Sequence, residues 1–330
     1  MKRVVFMVLA VLLVLSAAGC GGNKQQPSQQ QQTDKVNLGV IQILEHPALD
    51  AARNGFLDVF AENGYKDGEK LVLDYQNAQG QQDNLQTIAN KFAQDKKTLI
   101  LAIATPSAQV MADKTSEIPI LITAVTDPVE AKLVKSMDKP DTNVTGTTDM
   151  NPIKEQLQLI KDIVPTVKTV GVIYNSSEVN SQVQAKACKD IAPELGLEIV
   201  EAPITASNEV MQGAQSLVGR CDAIYVPTDN MVVAAISSVV KVGESNKLPV
   251  FGAEANTVKG GAIGTYGIDY YKLGRQTGEM ALRILKGEKP QDMAIESQKE
   301  LTLTLNPAAA ERMGVTLPEE LKAKAELVEE

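Results

Sequence analysis

Asp222-Ala-Ile-Tyr-Val-Pro-Thr-Asp-Asn230 reads as a buried strand running into a polar loop. The following Met231–Val242 has helical spacing, so the tip Thr228-Asp229-Asn230 falls at a helix N-terminus. There, backbone N–H groups lack partners and short polar side chains cap them. An earlier stretch has the same grammar: apolar Leu99–Ala104, a polar loop Thr105-Pro106-Ser107, and a helical run from Ala108 to about Ser116. Both units reach the next strand through a proline, in Ile118-Pro-Ile-Leu-Ile122 and Leu248-Pro-Val-Phe251. The chain therefore reads as two similar halves, each presenting polar strand-end loops. Two such sets of loops facing each other make a cleft for a small ligand.

The rest of the chain extends this pattern. Val36–Ile43, Leu71–Tyr75 and Leu99–Ala104 are short apolar runs that alternate with helices, the first of which carries Leu49, Ala52, Phe56, Val59 and Phe60 at helical spacing. Thr169–Tyr174, Leu197–Ala202 and Ala223–Val226 repeat the order. Gly39 and Gly171 stand 132 positions apart, and Pro119 and Pro249 stand 130 apart, as in an internal repeat of one lobe. Strands alternating with helices of this length predict βαβ units and parallel sheets. Gly260–Gly267 lacks the dinucleotide-binding glycine spacing and reads as a crossover strand. Asp269–Lys286 is an amphipathic helix, Leu301–Leu305 a last strand, and a charged tail follows Gly314.

The 330 residues suffice for two domains, and 44% hydrophobic with 22% charged residues is a globular composition. A net charge of −9 without any basic block argues against a nucleic-acid partner. A single histidine leaves no His-rich metal site, and no nucleophile elbow, Walker loop, H-E-x-x-H or C-x-x-C occurs. Neither metal, cofactor nor enzymatic activity is expected. At the N-terminus, Lys2-Arg3 precedes an apolar run, Val4–Leu15, too short to span a bilayer comfortably. Ser16-Ala-Ala-Gly-Cys20 then resembles a bacterial lipobox, with Ala17 where leucine is usual, so that Cys20 would carry the lipid. Two acyl chains would hold the protein at a membrane surface. Gly21–Asp34, rich in Gln, Gly and Ser, reads as a flexible tether. Cys188 and Cys221 read as free thiols rather than a disulfide.

Taken with the lipobox and tether, five stretches carry a resemblance: Ile41-Gln-Ile-Leu-Glu-His-Pro-Ala-Leu-Asp50, Ala104-Thr-Pro-Ser-Ala108, Thr126-Asp-Pro128, Asn175-Ser-Ser-Glu178 with Asn180-Ser181, and Pro227-Thr-Asp-Asn230. They are similar to the ABC importer substrate-binding lipoproteins of the tryptophan/tyrosine-binding type, over about residues 36–317. The resemblance implies an α/β fold of two Rossmann-like lobes with parallel sheets joined by a three-crossing hinge, a type I periplasmic binding protein. The crossings would lie near residues 146–150, 260–267 and 290–300. It also implies the organisation 1–20 signal peptide, 21–35 tether, 36–148 plus about 267–290 N-terminal lobe, and 149–262 plus about 295–330 C-terminal lobe. The protein would be extracytoplasmic, lipid-anchored and monomeric, delivering a small amino acid, with an aromatic one expected, to a membrane permease.

Ligand in such folds lies between the lobes, at the carboxyl ends of the parallel strands. An amino acid's ammonium needs a carboxylate, with Asp229 first and Glu178 second. Its carboxylate needs hydroxyls and free backbone N–H groups, which Ser176-Ser177 and Thr105-Ser107 offer. Its ring needs a wall, for which His46, Pro106 and Tyr266 are candidates. Thr126, Asp127, Asn180, Thr228, Asn230 and Glu254 complete the expected lining. Asp229 and Ser177 read equally as helix caps, Thr126-Asp127-Pro128 as a turn, and Tyr266 as hinge packing. Competing functions are a binding lipoprotein for a branched-chain amino acid, nucleoside or sugar, a sensor docking on a receptor, and an enzyme on the same scaffold.

Overall fold

The computed structural model describes residues 35–329, so the lipobox Cys20 and the tether lie outside the described residues. In the first half the strands are β1 (Val36–Gln42), β2 (Leu71–Asn77), β3 (Leu99–Ile103), β4 (Ile120–Val125) and β5 (Val144–Thr148). Between them run α1 (Pro47–Glu62), α2 (Gln82–Gln94) and α3 (Thr105–Ala112). The second half opens with α4 (Ile153–Ile163), β6 (Thr169–Asn175), α5 (Val179–Ile191), β7 (Glu198–Ile204) and α6 (Val210–Leu217). It continues with β8 (Ala223–Val226), α7 (Asn230–Ala234), α8 (Ile236–Asn246), β9 (Val250–Gly252), α9 (Ala255–Lys259) and β10 (Gly264–Gly267). The chain ends with α10 (Tyr270–Leu285), β11 (Glu296–Ser297), β12 (Thr302–Leu305), α11 (Pro307–Arg312), α12 (Glu319–Lys322) and β13 (Glu326–Leu327).

Two parallel sheets result, with orders β11-β5-β4-β3-β1-β2 and β7-β6-β8-β9. Position for position, β2-β1-β3-β4 matches β7-β6-β8-β9, the spatial form of the repeat spacing. Every residue of β3, β4 and β5 is buried, as strands covered by helices on both faces must be. Gly146 in β5 has φ +141°, and a Cβ there would lie 2.1 Å from Ile122 O, so only glycine lets β5 approach β4.

One apolar cluster takes residues 36–144 together with 268–295, and the other takes 153–263 together with 303–317. The chain passes between clusters after Val144, between Tyr266 and Ile268, and after Ile295. Each lobe is thus assembled from two separated pieces of chain.

Four local expectations change. Thr105-Pro106-Ser107 is the first turn of α3 rather than a loop, because Pro106 at the second helical position has no N–H to lose, and the helix ends at Ala112. The helix expected over Met231–Val242 breaks at Ala235 (φ −108°, ψ 22°) into α7 and α8. The glycine-rich crossover strand is β10, which pairs antiparallel with β12, and the crossing comes only after Gly267. The charged tail ends in β13, which pairs with β12 and adds a third sheet, β10-β12-β13, to the two parallel ones.

Candidate functional site

The segments after β1 and β4 in one lobe and after β6, β8 and β9 in the other converge on a narrow cavity. His46, Leu49, Ala124, Thr126 and Tyr270 line it from the first lobe. Asn180, Thr228, Asp229, Asn230, Val233 and Glu254 line it from the second, and Asp149, on the first crossing, sits between. Its volume is about 10 Å³, the space of one water. A wider pocket of about 620 Å³ lies at neighbouring positions, between Ile43, Pro106 and Val110 on one side and Ser177, Glu178 and Met231 on the other. Ala104 (φ 75°) and Ala124 (φ 54°), at the ends of β3 and β4, hold left-handed backbone that disfavours alanine. Strain of this kind persists where surrounding structure over-determines it, commonly at ligand sites.

The second lobe's side of the cavity is a hydrogen-bonded lattice. Asp229 caps α7 by accepting from Val232 N–H (2.8 Å), and its other oxygen accepts from Ser181 Oγ (2.6 Å) and Asn175 N–H (2.5 Å). Glu178 accepts from Asn175 Nδ2 (3.0 Å) and Asn230 Nδ2 (2.5 Å). Thr228 N–H donates to Gln184 Oε1 (3.0 Å), and Asn151 Nδ2 donates to Thr228 Oγ1 (2.8 Å). Gln156 donates to Ala253 O (3.0 Å) and Tyr266 O (2.6 Å), pinning the backbone just before Glu254. Asp149 accepts from Thr126 Oγ1 (3.0 Å) and Tyr270 OH (2.9 Å).

Four carboxylates are buried here, and no Lys or Arg lines either pocket. Burial raises Asp149 to about 6, against its two donors. Burial and the charge of Asp229 raise Glu178 to about 7, and burial raises Asp229 itself. Burial and the charge of Asp149 raise Glu254 to about 8. Burial lowers His46 to about 4, so its ring is neutral at physiological pH despite Asp50 nearby. Asn230 lies close to that ring, yet neither ring nitrogen makes a hydrogen bond of good geometry. Thr105 Oγ1, Ser107 Oγ, Asn180 Oδ1 and Glu254 Oε1 are likewise buried without partners. Among the described residues, no cluster of three His, Cys, Asp or Glu side chains could hold a metal ion.

Of the residues singled out in the sequence, His46, Thr126, Asn180, Thr228, Asp229, Asn230 and Glu254 line the inner cavity, and Pro106, Ser177 and Glu178 the wider pocket. Thr105 and Ser107 are buried at the first turn of α3, beside Pro106. Ser176, Asp127 and Tyr266 line neither: Ser176 Oγ donates to Ile204 O (3.2 Å), Asp127 accepts from Val129 and Glu130 N–H (3.0 Å each), and Tyr266 packs with the second apolar cluster. Sequence reasoning missed Leu49, Ala124, Asp149, Val233 and Tyr270. Asp149 carried a usable signal, since Thr147-Thr148-Asp149 ends a strand in the same polar way as the loops that were recognised. Cys188 is buried and Cys221 half-buried, and both are free thiols.

Residues 37–329 match the family of ABC transporter substrate binding proteins. The chain is 44% identical over 311 residues to a tyrosine-binding protein of Clostridioides difficile (strain R20291), covering 92% of this chain and 90% of that one. Among solved structures it is similar to an ABC domain in complex with L-Trp from Streptococcus pneumonia, with a TM-score of 0.86 and 35% identity, covering 89% of this chain and 99% of that one. It is also similar to the ligand-free, open structure of a substrate binding protein with adhesive properties from Clostridium difficile. There the TM-score is 0.68 at 48% identity, covering 88% of this chain and 98% of that one.

Proposed function

The chain belongs to the ABC transporter substrate binding protein family, and from that premise we propose that it captures a free aromatic amino acid between its lobes, outside the cytoplasm, and delivers it to a membrane permease. The observation that carries this reading is where unsatisfied polar atoms lie. Apart from Asn37 and Thr304, the buried side-chain atoms without partners among the described residues belong to His46, Thr105, Ser107, Asn180 and Glu254. Each such atom costs about 1–3 kcal/mol, so a fold that gathers them at the cleft is organised around a polar ligand. Both lobes contribute, as a ligand that holds two lobes together requires.

Leu49, Ala124 and Val233 beside the neutral His46 ring supply walls for an apolar ring. The hydroxyls of Thr105 and Ser107, at the first turn of α3, suit the ligand's carboxylate. The names of two relatives, one tyrosine-binding and one bound to L-Trp, support an aromatic side chain. The chain overlays better on the L-Trp complex at 35% identity than on the open, ligand-free relative at 48%, which supports a closed arrangement of the lobes here. The tightness of the inner cavity fits this: ligand reaches it when the lobes part, and binding shifts the population back toward closed.

A thermal-shift panel of amino acids, nucleosides and sugars tests the ligand, on residues 35–330, which form one compact unit, after unfolding and refolding to strip carried-over ligand. A ligand at about 100 times its Kd adds about 2.7 kcal/mol. A shift confined to tryptophan, tyrosine or phenylalanine is expected. A flat response to every amino acid with a shift from another class would discard the aromatic reading. The chain has no tryptophan, so tryptophan emission from the loaded protein reports ligand directly. Release of the ligand unchanged would support binding without turnover. The lipid anchor at Cys20 is tested by fatty-acid labelling, expected to vanish in Cys20→Ala.

A further inference from the structure

Glu254 is the buried carboxylate of the cleft with an oxygen that the fold itself leaves unpaired. Its backbone is occupied, with its carbonyl accepting from Thr257 Oγ1 (2.6 Å) and Thr257 N–H (3.1 Å). Its side chain is only partly so: the residue is 1% exposed, and Oε1 has no hydrogen-bond partner. The other three carboxylates are engaged. Asp229 serves a helix cap and two further donors, Glu178 serves two amides, and Asp149 serves two hydroxyls.

No counter-charge meets Glu254. Asp149, on the crossing after β5, faces it with a second negative charge, and Tyr270, at the start of α10, faces it with a hydroxyl that is donated to Asp149 and lies within hydrogen-bonding reach of Glu254 as well. His46, before α1, and Asp229, before α7, line the same cavity, the first neutral and the second acidic. A buried carboxylate with no counter-charge and one oxygen unpaired is costly, and a second carboxylate beside it adds to the cost. A cation placed between them removes both penalties. The described residues offer too few ligands for a metal ion, whereas an ammonium needs only acceptors for its N–H groups.

We propose that Glu254, with Asp149 beside it, receives the ammonium group of the ligand, and that Asp229 is a structural residue of the second lobe. This rests on the amino-acid reading above. It carries a proton balance. Glu254 is largely protonated in the free protein near neutral pH, because burial and Asp149 hold its proton on. The incoming ammonium is already charged, so the carboxylic acid gives its proton to the buffer as the ion pair forms. Binding should therefore release a fraction of a proton per ligand, approaching one as the pH falls below the Glu254 pKa.

Titration calorimetry of residues 35–330 in two buffers of different ionisation heat, at about pH 7.5, reads affinity and proton release together. The probes are L-tryptophan and L-tyrosine, their deamino acids, and tryptamine and tyramine. The wild type should bind the amino acids at least about 30-fold more tightly than the deamino acids and release protons only with ligands that carry the amine. Glu254→Gln should lose at least about 30-fold for the amino acids, change little for the deamino acids, and release no proton. Because glutamine resembles the protonated acid, that variant should unfold at or above the wild-type midpoint. If it does not fold, Glu254→Asp, which keeps the charge and withdraws it, should weaken the same ligands while still releasing protons. Asp229→Asn should retain the preference for the amine. Wild-type affinity and proton release in Glu254→Gln would overturn the assignment and leave the amino-acid reading standing. Binding of the bare amines but of no amino acid would overturn that reading and keep the assignment. Tight binding of the deamino acids alone would overturn both.

Discussion

Replacing Asp229 by alanine separates the two roles its position suggests. The side chain closes three bonds within the second lobe: the α7 cap to Val232 N–H and the bonds from Ser181 Oγ and Asn175 N–H. Loss of a cap costs about 1 kcal/mol. Each of the other donors, buried and left without an acceptor, costs about 1–3 kcal/mol. Against this stands relief from holding a buried carboxylate next to Glu178, a strain visible in the raised pKa of both groups. The net expectation is a loss of about 2–5 kcal/mol for Asp229→Ala. At an ordinary exposed cap asparagine replaces aspartate freely. Here the asparagine amide would point N–H groups at Asn175 N–H, so Asp229→Asn should recover the cap and still lose about 1–3 kcal/mol. Urea denaturation of ligand-free protein measures both. If Asp229→Ala costs under about 1 kcal/mol, or if asparagine is fully neutral, the lattice does not depend on this residue and the structural assignment fails.

Two further outcomes follow from the geometry. The raised Glu254 and Glu178, at about 8 and 7, hold protons in the folded state that the unfolded chain releases near 4.5, so ligand-free stability is lost as pH rises through their folded values. His46, lowered from 6.5 to about 4, opposes this only where the unfolded histidine is charged. Between pH 6.5 and 8 the ligand-free protein should therefore lose about 2 kcal/mol, followed by calorimetric Tm; a flat or rising profile across that window would contradict the burial of these carboxylates without a counter-charge. Gly274→Ala should destabilise by at least about 2 kcal/mol in urea although alanine favours helices, because its Cβ would sit 1.9 Å from Ala52 O where α10 crosses α1; a gain in stability would show that the helices part easily.

The repeat was readable because its signals are local. An apolar run, a polar tip and a helix leave the same trace wherever they occur, and the shared order β2-β1-β3-β4 and β7-β6-β8-β9 follows from it. What Asp229 does was not readable, because Asn175 and Ser181 stand about fifty positions away in sequence and both a cap and a ligand contact call for the same residue type. Tyr266 reads in the sequence either as a ring for the cleft or as hinge packing, and its pairing with Leu303 holds it in the small third sheet. Leu49, Ala124 and Val233 carry no chemical signature at all: only the meeting of two lobes turns ordinary apolar residues into cavity walls. Glu254 was visible as a strand-end acid, but the unpaired state of its Oε1 is a property of everything packed around it.

The threefold passage of the chain between lobes has a consequence for how the molecule comes into being. Helix α1 lies against α10, and β5 against β11, across more than a hundred intervening residues. The first lobe stays unfinished until about residue 297 has been made, and the second waits for β12 and α11. Pairings this distant in sequence are slow to form, because chain entropy is lost before any contact rewards it. Two bodies in space are therefore one in order of assembly. A truncation near residue 262 leaves both unfinished, and neither lobe can be cut out, exchanged or lost as a continuous piece of the gene.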